Sequence, residues 1–146
     1  MSEITHTELG RQLMKPSGID GLKVAEKMNV TNQKLYDFVL EHLELNDNDA
    51  ILEIGFGNGK TIPMFFTKND TIHYYGLDFS EIMCSEAIAN TKDLGKSISI
   101  TCEDAMQMSY SNDFFDSIVT LNTVYFWQDL TLQLTELKRV LRKGGK

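Results

Sequence analysis

The run Ile51-Leu52-Glu53-Ile54-Gly55-Phe56-Gly57-Asn58-Gly59-Lys60 joins apolar residues, a carboxylate and alternate glycines, the residue types needed to hold a ligand against bare backbone. Glycine accepts positive φ and carries no Cβ, so the chain can turn tightly and deliver a ligand to the free N–H groups at the start of a helix. Spacing separates the candidate ligands. A dinucleotide fingerprint, G-x-G-x-x-G, needs its third glycine where Lys60 stands. A phosphate loop, G-x-x-x-x-G-K-[ST], finds its end in Gly59-Lys60-Thr61, but its first glycine falls on Ile54.

A second carboxylate, Asp78, ends the β-rich stretch Thr71-Ile72-His73-Tyr74-Tyr75-Gly76-Leu77-Asp78. At the end of the strand after a glycine turn, an acid can accept both hydrogen bonds of a ribose diol. It can also serve the start of the helix near Ser80, and the two roles are compatible. Glu103-Asp104-Ala105 follows another alternating run, where Asp104 is either a ligand contact or an ordinary loop acid. Asn122 and the cluster Tyr125-Phe126-Trp127 lie past a fourth apolar run, the cluster reading equally as core or as a pocket wall. His6, His42 and His73 are scattered and read as surface or core residues rather than bases.

The elements that must position these groups alternate strand and helix. Strands are expected at the run 51–54, at 71–78, at 97–102 and at 114–121, separated by helical stretches, so the sheet should be parallel with right-handed crossovers. Its acids, glycines and Asn122 would then all issue from the carboxyl ends of the strands, where open α/β sheets bind ligands. Ahead of them, residues 1 to about 17 read as a polar arm broken at Pro16-Ser17-Gly18. Two helices are expected next, 19–28 and one carrying Leu35, Phe38, Val39 and Leu43, with Thr31 or Asn32 as the cap between them.

The run E-x-G-x-G-x-G after a strand resembles motif I of the class I S-adenosylmethionine (SAM)-dependent methyltransferases. Asp78-Phe79-Ser80-Glu81-Ile82-Met83 is similar to the D-x-S-x-x-M run after their second strand, Asp104-Ala105 to the D-A after their third, and Leu137-Lys138-Arg139-Val140-Leu141-Arg142-Lys143-Gly144-Gly145 to the helix end that leads to their fifth. The match runs in order from about residue 50 to the C-terminus. It implies an open, mostly parallel Rossmann-like α/β sheet in strand order 3-2-1-4, preceded by N-terminal helices, within a single domain spanning 1–146: arm and helices over 1–45, cofactor core over 46–146. SAM is the implied cofactor. Glu53, Gly55, Gly57, Gly59, Asp78, Phe79, Asp104, Ala105 and Asn122 are its implied contacts, with Asp78 on the ribose, Phe79 on the adenine face and Asp104 at the adenine amino group. Arg11, Met14, Lys15, Met28 and Asn29 are candidate lid residues, beside the simpler reading of helix packing and a solvated arm. Glu53 is expected to favour a cationic cofactor over its neutral product. No catalytic residue is nominated, because methyl transfer relies chiefly on placing the acceptor in line.

Composition narrows the acceptor. A formal charge of −7 argues against a polyanion-binding surface, and the nucleic-acid aminomethylases' [DN]-P-P-[FY] is replaced by Leu121-Asn122-Thr123-Val124-Tyr125. A small-molecule or lipid-like acceptor is expected, and not nucleic acid. The apolar content of 42% suffices for one core, and there is neither an 18-residue apolar span nor a leader-like segment, so a cytoplasmic protein is expected. Cys84 and Cys102 have no metal-ligand or disulfide-framework spacing, and no metal is expected. The chain stops at Lys146, where the resemblance would enter strand five. The expectation is a fragment of a longer enzyme, without the C-terminal strands, or an oligomer, with something covering an apolar strand-four edge of Phe114, Phe115, Ile118, Val119 and Leu121. Two functions follow: methyl transfer, or a SAM-binding or partner-binding module without turnover.

Overall fold

The computed structural model describes residues 6–146. Helices α1 (His6–Met14) and α2 (Gly18–His42) precede an alternation of β1 (Ala50–Ile54), α3 (Ile62–Lys68), β2 (His73–Asp78), α4 (Glu81–Thr91), β3 (Ile98–Cys102) and β4 (Ser117–Thr120). A 3₁₀ turn (Val124–Phe126) and α5 (Leu130–Val140) follow. All strand pairs are parallel and the order is β3-β2-β1-β4, as the motifs imply.

A parallel sheet is covered on both faces, which is why β1 is apolar at every position but Glu53. Alternation along β1 sends Ile51 to one face, with Phe65 of α3, Tyr74 of β2 and Met83 of α4. Leu52 and Ile54 go to the other face, with Leu77, Ala105, Phe115 and Val140. Phe65, Tyr74 and Phe115 have no exposed surface, and burying such a side chain contributes about 2 kcal/mol. Glu53 pairs in register with Gly76 on β2 and Val119 on β4, placing a carboxylate at the centre of the sheet.

The N-terminal region departs from expectation. Residues 6–14, expected within a polar arm, form α1; the first five residues of that arm lie outside the described residues, as does the His6 side chain. The helix holds because Gln12 is buried against the next turn: its Oε1 accepts from Ser17 N at 2.8 Å and its Nε2 donates to Glu8 at 2.9 Å. The two helices expected after it are one continuous helix, α2. Thr31 does not cap, because its hydroxyl donates to the Lys27 carbonyl four residues back, and Asn32 turns its side chain outward to Asn122.

β4 is shorter than the expected 114–121. Asp113 takes a positive φ of 53°, and Phe115 forms an isolated bridge with Leu141 instead of joining the strand. Of the expected apolar edge, Phe115 and Val119 are buried, Ile118 and Leu121 are half-buried and Phe114 is exposed. On the outer side of β4 the Ile118 N–H donates to the Lys146 carbonyl at 2.8 Å, and the Lys146 N–H to Asp116 at 3.1 Å. His73 and His42 are bonded locally, to Ser97 Oγ and the Phe38 carbonyl. Among the described residues no helix is long and apolar enough to cross a membrane.

Candidate functional site

The turn after β1 holds Gly55, Gly57 and Gly59 at φ of +78°, +62° and +78°, where a side chain would be strained. Their surroundings divide them. A Cβ on Gly55 would stand 2.4 Å from Thr123 Cγ2, and one on Gly59 would stand 2.7 Å from the Ala87 backbone of α4, whereas one on Gly57 would meet nothing within 4 Å. Gly59 therefore serves packing between turn and helix, and Gly57 leaves backbone open to a cavity.

Asp78 closes this cavity at the end of β2. Its side chain is buried, and it accepts backbone N–H bonds from Ser80 at 2.9 Å and from Gly57 and Phe79. Burial pushes its carboxyl up to about 6 against the pull of these N–H groups and of Lys15. Ser80, rather than Asp78, caps α4, and its hydroxyl also donates to the Pro16 carbonyl at 2.8 Å, tying the α1–α2 connection to the site. Phe79 is 40% exposed, with the Lys15 ammonium 5.1 Å above its ring.

The cavity, of about 390 Å³, is lined by Gly55, Gly57, Asp78, Phe79, Asp104, Ala105 and Asn122, so seven of the nine expected contacts converge on it. Asp104 stands in the loop after β3, its Oδ1 fixed by Met106 N at 2.9 Å. Asn122 takes a left-handed φ of 57° past β4, a conformation Asn tolerates better than most residues. Tyr125, Phe126 and Trp127 form a wall of the cavity rather than core, with Tyr125 82% exposed. Of the lid candidates, Met14, Met28 and Asn29 line the cavity, Lys15 does not line it but lies over Phe79 and acts on Asp78, and Arg11 is paired with Glu8. Among the described residues no Lys, Arg or His lines it. Lys60 pairs with Glu26 at 2.5 Å outside it, which leaves the phosphate-loop register without its cation at the ligand.

Glu53 and Gly59 do not line the cavity. Glu53 is fully buried behind it, one oxygen accepting the Tyr36 hydroxyl and the other the Tyr74 hydroxyl, both at 2.5 Å. Burial raises its carboxyl to about 7, the two hydroxyls oppose that rise, and Asp78 adds to it. Tyr36, absent from the expected contacts, is itself a cavity residue. Its position on the apolar side of α2 reads as ordinary core packing, and only the short bond to Glu53 distinguishes it.

A 3-2-1-4 parallel sheet with a glycine turn after β1 and a buried carboxylate ending β2 is the architecture shared by dinucleotide-binding domains and class I SAM-dependent methyltransferases. The chain belongs to the family described as "Methyltransferase domain", whose model matches residues 52–146. It is 29% identical over 119 residues to the uncharacterized methyltransferase YdaC of Bacillus subtilis, covering 82% of this chain and 65% of that protein. It is 30% identical over 115 residues to the 27-O-demethylrifamycin SV methyltransferase of Amycolatopsis mediterranei, covering 77% of this chain and 42% of that protein. A SAM-dependent methyltransferase from Aquifex aeolicus superposes with a TM-score of 0.71 at 22% identity, over 81% of this chain and 65% of that one. The chain thus spans between two fifths and two thirds of the length of these curated relatives. SAM is the cofactor of this family, and the residues present fit it: open backbone at Gly57, a buried acceptor at Asp78 and an apolar cavity of small-molecule size.

Proposed function

We propose that the chain binds SAM in this cavity and transfers its methyl group to a small-molecule or lipid-like acceptor. In this reading Asp78 accepts from the ribose hydroxyls, Phe79 packs on the adenine and Asp104 with Ala105 meets its edge, while Gly55, Gly57 and Asn122 approach the remainder. Bound there, the cofactor supplies a methyl group on a positively charged sulfur, already activated for displacement. The residues of this chain then have to orient an acceptor and keep water out, which is catalysis by proximity.

The observation that carries this reading is the continuity of one cavity from Gly57, Asp78 and Asp104 to Met28, Tyr125 and Trp127. The second group is apolar and aromatic, and no cationic side chain among the described residues lines either, which favours a neutral, apolar-bodied acceptor over an anionic one. The relative named for a demethylrifamycin acceptor is consistent with a small organic molecule.

Calorimetric titration with SAM and S-adenosylhomocysteine (SAH), repeated on Asp78→Ala, tests the cofactor reading. Binding by the wild type that weakens tenfold or more on substitution is expected. Absence of heat with either ligand from a folded sample counts against it.

A further inference from the structure

The Tyr36–Glu53 bond joins a cavity wall to a charge that does not itself reach the cavity. Tyr36 comes from α2 and lines the cavity; Glu53 comes from the centre of the sheet and has no exposed surface beyond 1%. A carboxylate in such a place is neutral unless donors compensate its burial. Two offset it in part, Tyr36 on Oε1 and Tyr74 on Oε2, each at 2.5 Å. They are not equivalent. Tyr74 is a strand residue with no exposed surface and is fixed by the sheet, whereas Tyr36 reaches Glu53 only while α2 lies across the cavity.

We propose that Tyr36 is a positioning residue that favours the charged form of Glu53 behind the cavity wall, so that the closed site prefers a cationic ligand to its neutral counterpart. This inference rests on the proposed cofactor reading and adds a device that discriminates cofactor from product. SAM and SAH differ at the sulfur by one methyl group and one positive charge and share their ribose, adenine and amino-acid groups. A negative charge behind the wall acts on that difference alone, and in a buried setting its field is weakly screened. Opening α2 withdraws the Tyr36 hydroxyl and admits water to Glu53, so that its field on the ligand is screened and the preference is lost; closing restores it.

The surroundings of Glu53 make the prediction specific. Tyr36 faces it from α2, Tyr74 and Asp78 act on it from β2, and neither Thr61 at the start of α3 nor Val119 on β4 brings a charge. Asp78 also titrates, but its hydrogen bonds to the ribose are common to both ligands and cancel in a ratio of affinities. Its own charge on the sulfur is isolated with Asp78→Asn.

The experiment is calorimetric measurement of the SAM-to-SAH affinity ratio between pH 5.5 and 8.5 for wild type, Tyr36→Phe, Glu53→Gln and Asp78→Asn. For wild type the ratio is expected to rise at least threefold in favour of SAM with increasing pH. Glu53→Gln should hold the low-pH ratio throughout, Tyr36→Phe should displace the rise to higher pH, and Asp78→Asn should retain it. A merely structural role for Tyr36 would weaken both ligands together and leave the ratio unmoved. A flat wild-type ratio, or a Tyr36→Phe profile superimposable on wild type, overturns the proposal while leaving cofactor binding intact. Failure of both ligands to bind wild type overturns the cofactor reading and this one with it. If Glu53→Gln does not fold, the displacement in Tyr36→Phe decides.

Discussion

The side-chain amide of Asn122 donates to Asn32 Oδ1 at 2.9 Å, joining the loop after β4 to the middle of α2. Both residues line the cavity, so this bond ties α2, its roof, to the loop after β4. Asn122 is held in the left-handed region to make it, a conformation that costs most other residues about 1 kcal/mol or more.

Removing the tie should speed ligand exchange more than it lowers stability. Asn32→Ala is expected to raise the SAH dissociation rate several-fold with little change in melting temperature, since the bond is exposed. Stopped-flow fluorescence can follow this through Trp127, the single tryptophan of the chain and a cavity residue. An unchanged rate would show that α2 is held by its other contacts. Asn122→Ala should cost about 1 kcal/mol more in urea melts than Asn122→Gly, because glycine accepts the same φ.

The glycines should fail in different ways. Gly57→Ala meets only the φ strain, about 1–2 kcal/mol, and should lower SAH affinity tenfold or more by putting a methyl group into the cavity. Gly59→Ala drives a Cβ into the Ala87 backbone and should cost about 3 kcal/mol of stability through α4. Equal stability losses in urea melts would contradict this division.

Ligand affinity should fall on acidification through Asp78. Hydrogen bonds from ribose hydroxyls favour the ionised carboxylate, whose carboxyl burial has raised to about 6. SAH binding is therefore expected to be full above pH 7 and to decline as the pH falls through 6, with the decline absent in Asp78→Asn. Calorimetry across pH 5 to 8 reads this directly, and a flat wild-type profile rules it out.

Stability of the ligand-free protein should move the other way through Glu53. Its folded-state carboxyl, at about 7, lies above the ordinary 4.5, so the folded form holds a proton that the unfolded form releases. The associated stability is fully present below about pH 4.5 and is lost as the pH rises through 7, on the order of 3 kcal/mol for this group. Urea melts of wild type and Glu53→Gln at pH 5 and 8 should show the smaller pH dependence in the variant. An equal dependence would assign it to other groups.

Features set by local backbone demands are legible in the sequence. Alternate glycines, a strand ending in Asp78 and a β-α alternation leave few topologies, and the resemblance to the methyltransferases selects the 3-2-1-4 order among them. Long-range pairing hides the rest. Thr31 and Asn32 carry the residue types of a helix cap, but a hydroxyl bonded to Lys27 and an amide bonded to Asn122 let α2 run through them. Glu53 reads in sequence with the turn that follows it, although the two-residue period of a strand puts it on the face of Ile51, beneath α2. Tyr36 has no signal of its own, since a tyrosine on an apolar helix face looks the same whether or not its hydroxyl has found a buried acid.

Only five of the 25 residues of α2 are buried, at Gly21, Val24, Ala25, Tyr36 and Leu40, while β1 beneath it is buried at four of its five positions. Local stability follows burial, so the amides of α2 should exchange with solvent deuterium far sooner than those of β1. The roof is then a cooperative unit of its own, able to unfold while the sheet stays whole. A ligand gripped between them would leave at a rate governed by the melting of a single helix, and occupancy of the cavity would appear as slowed exchange along α2.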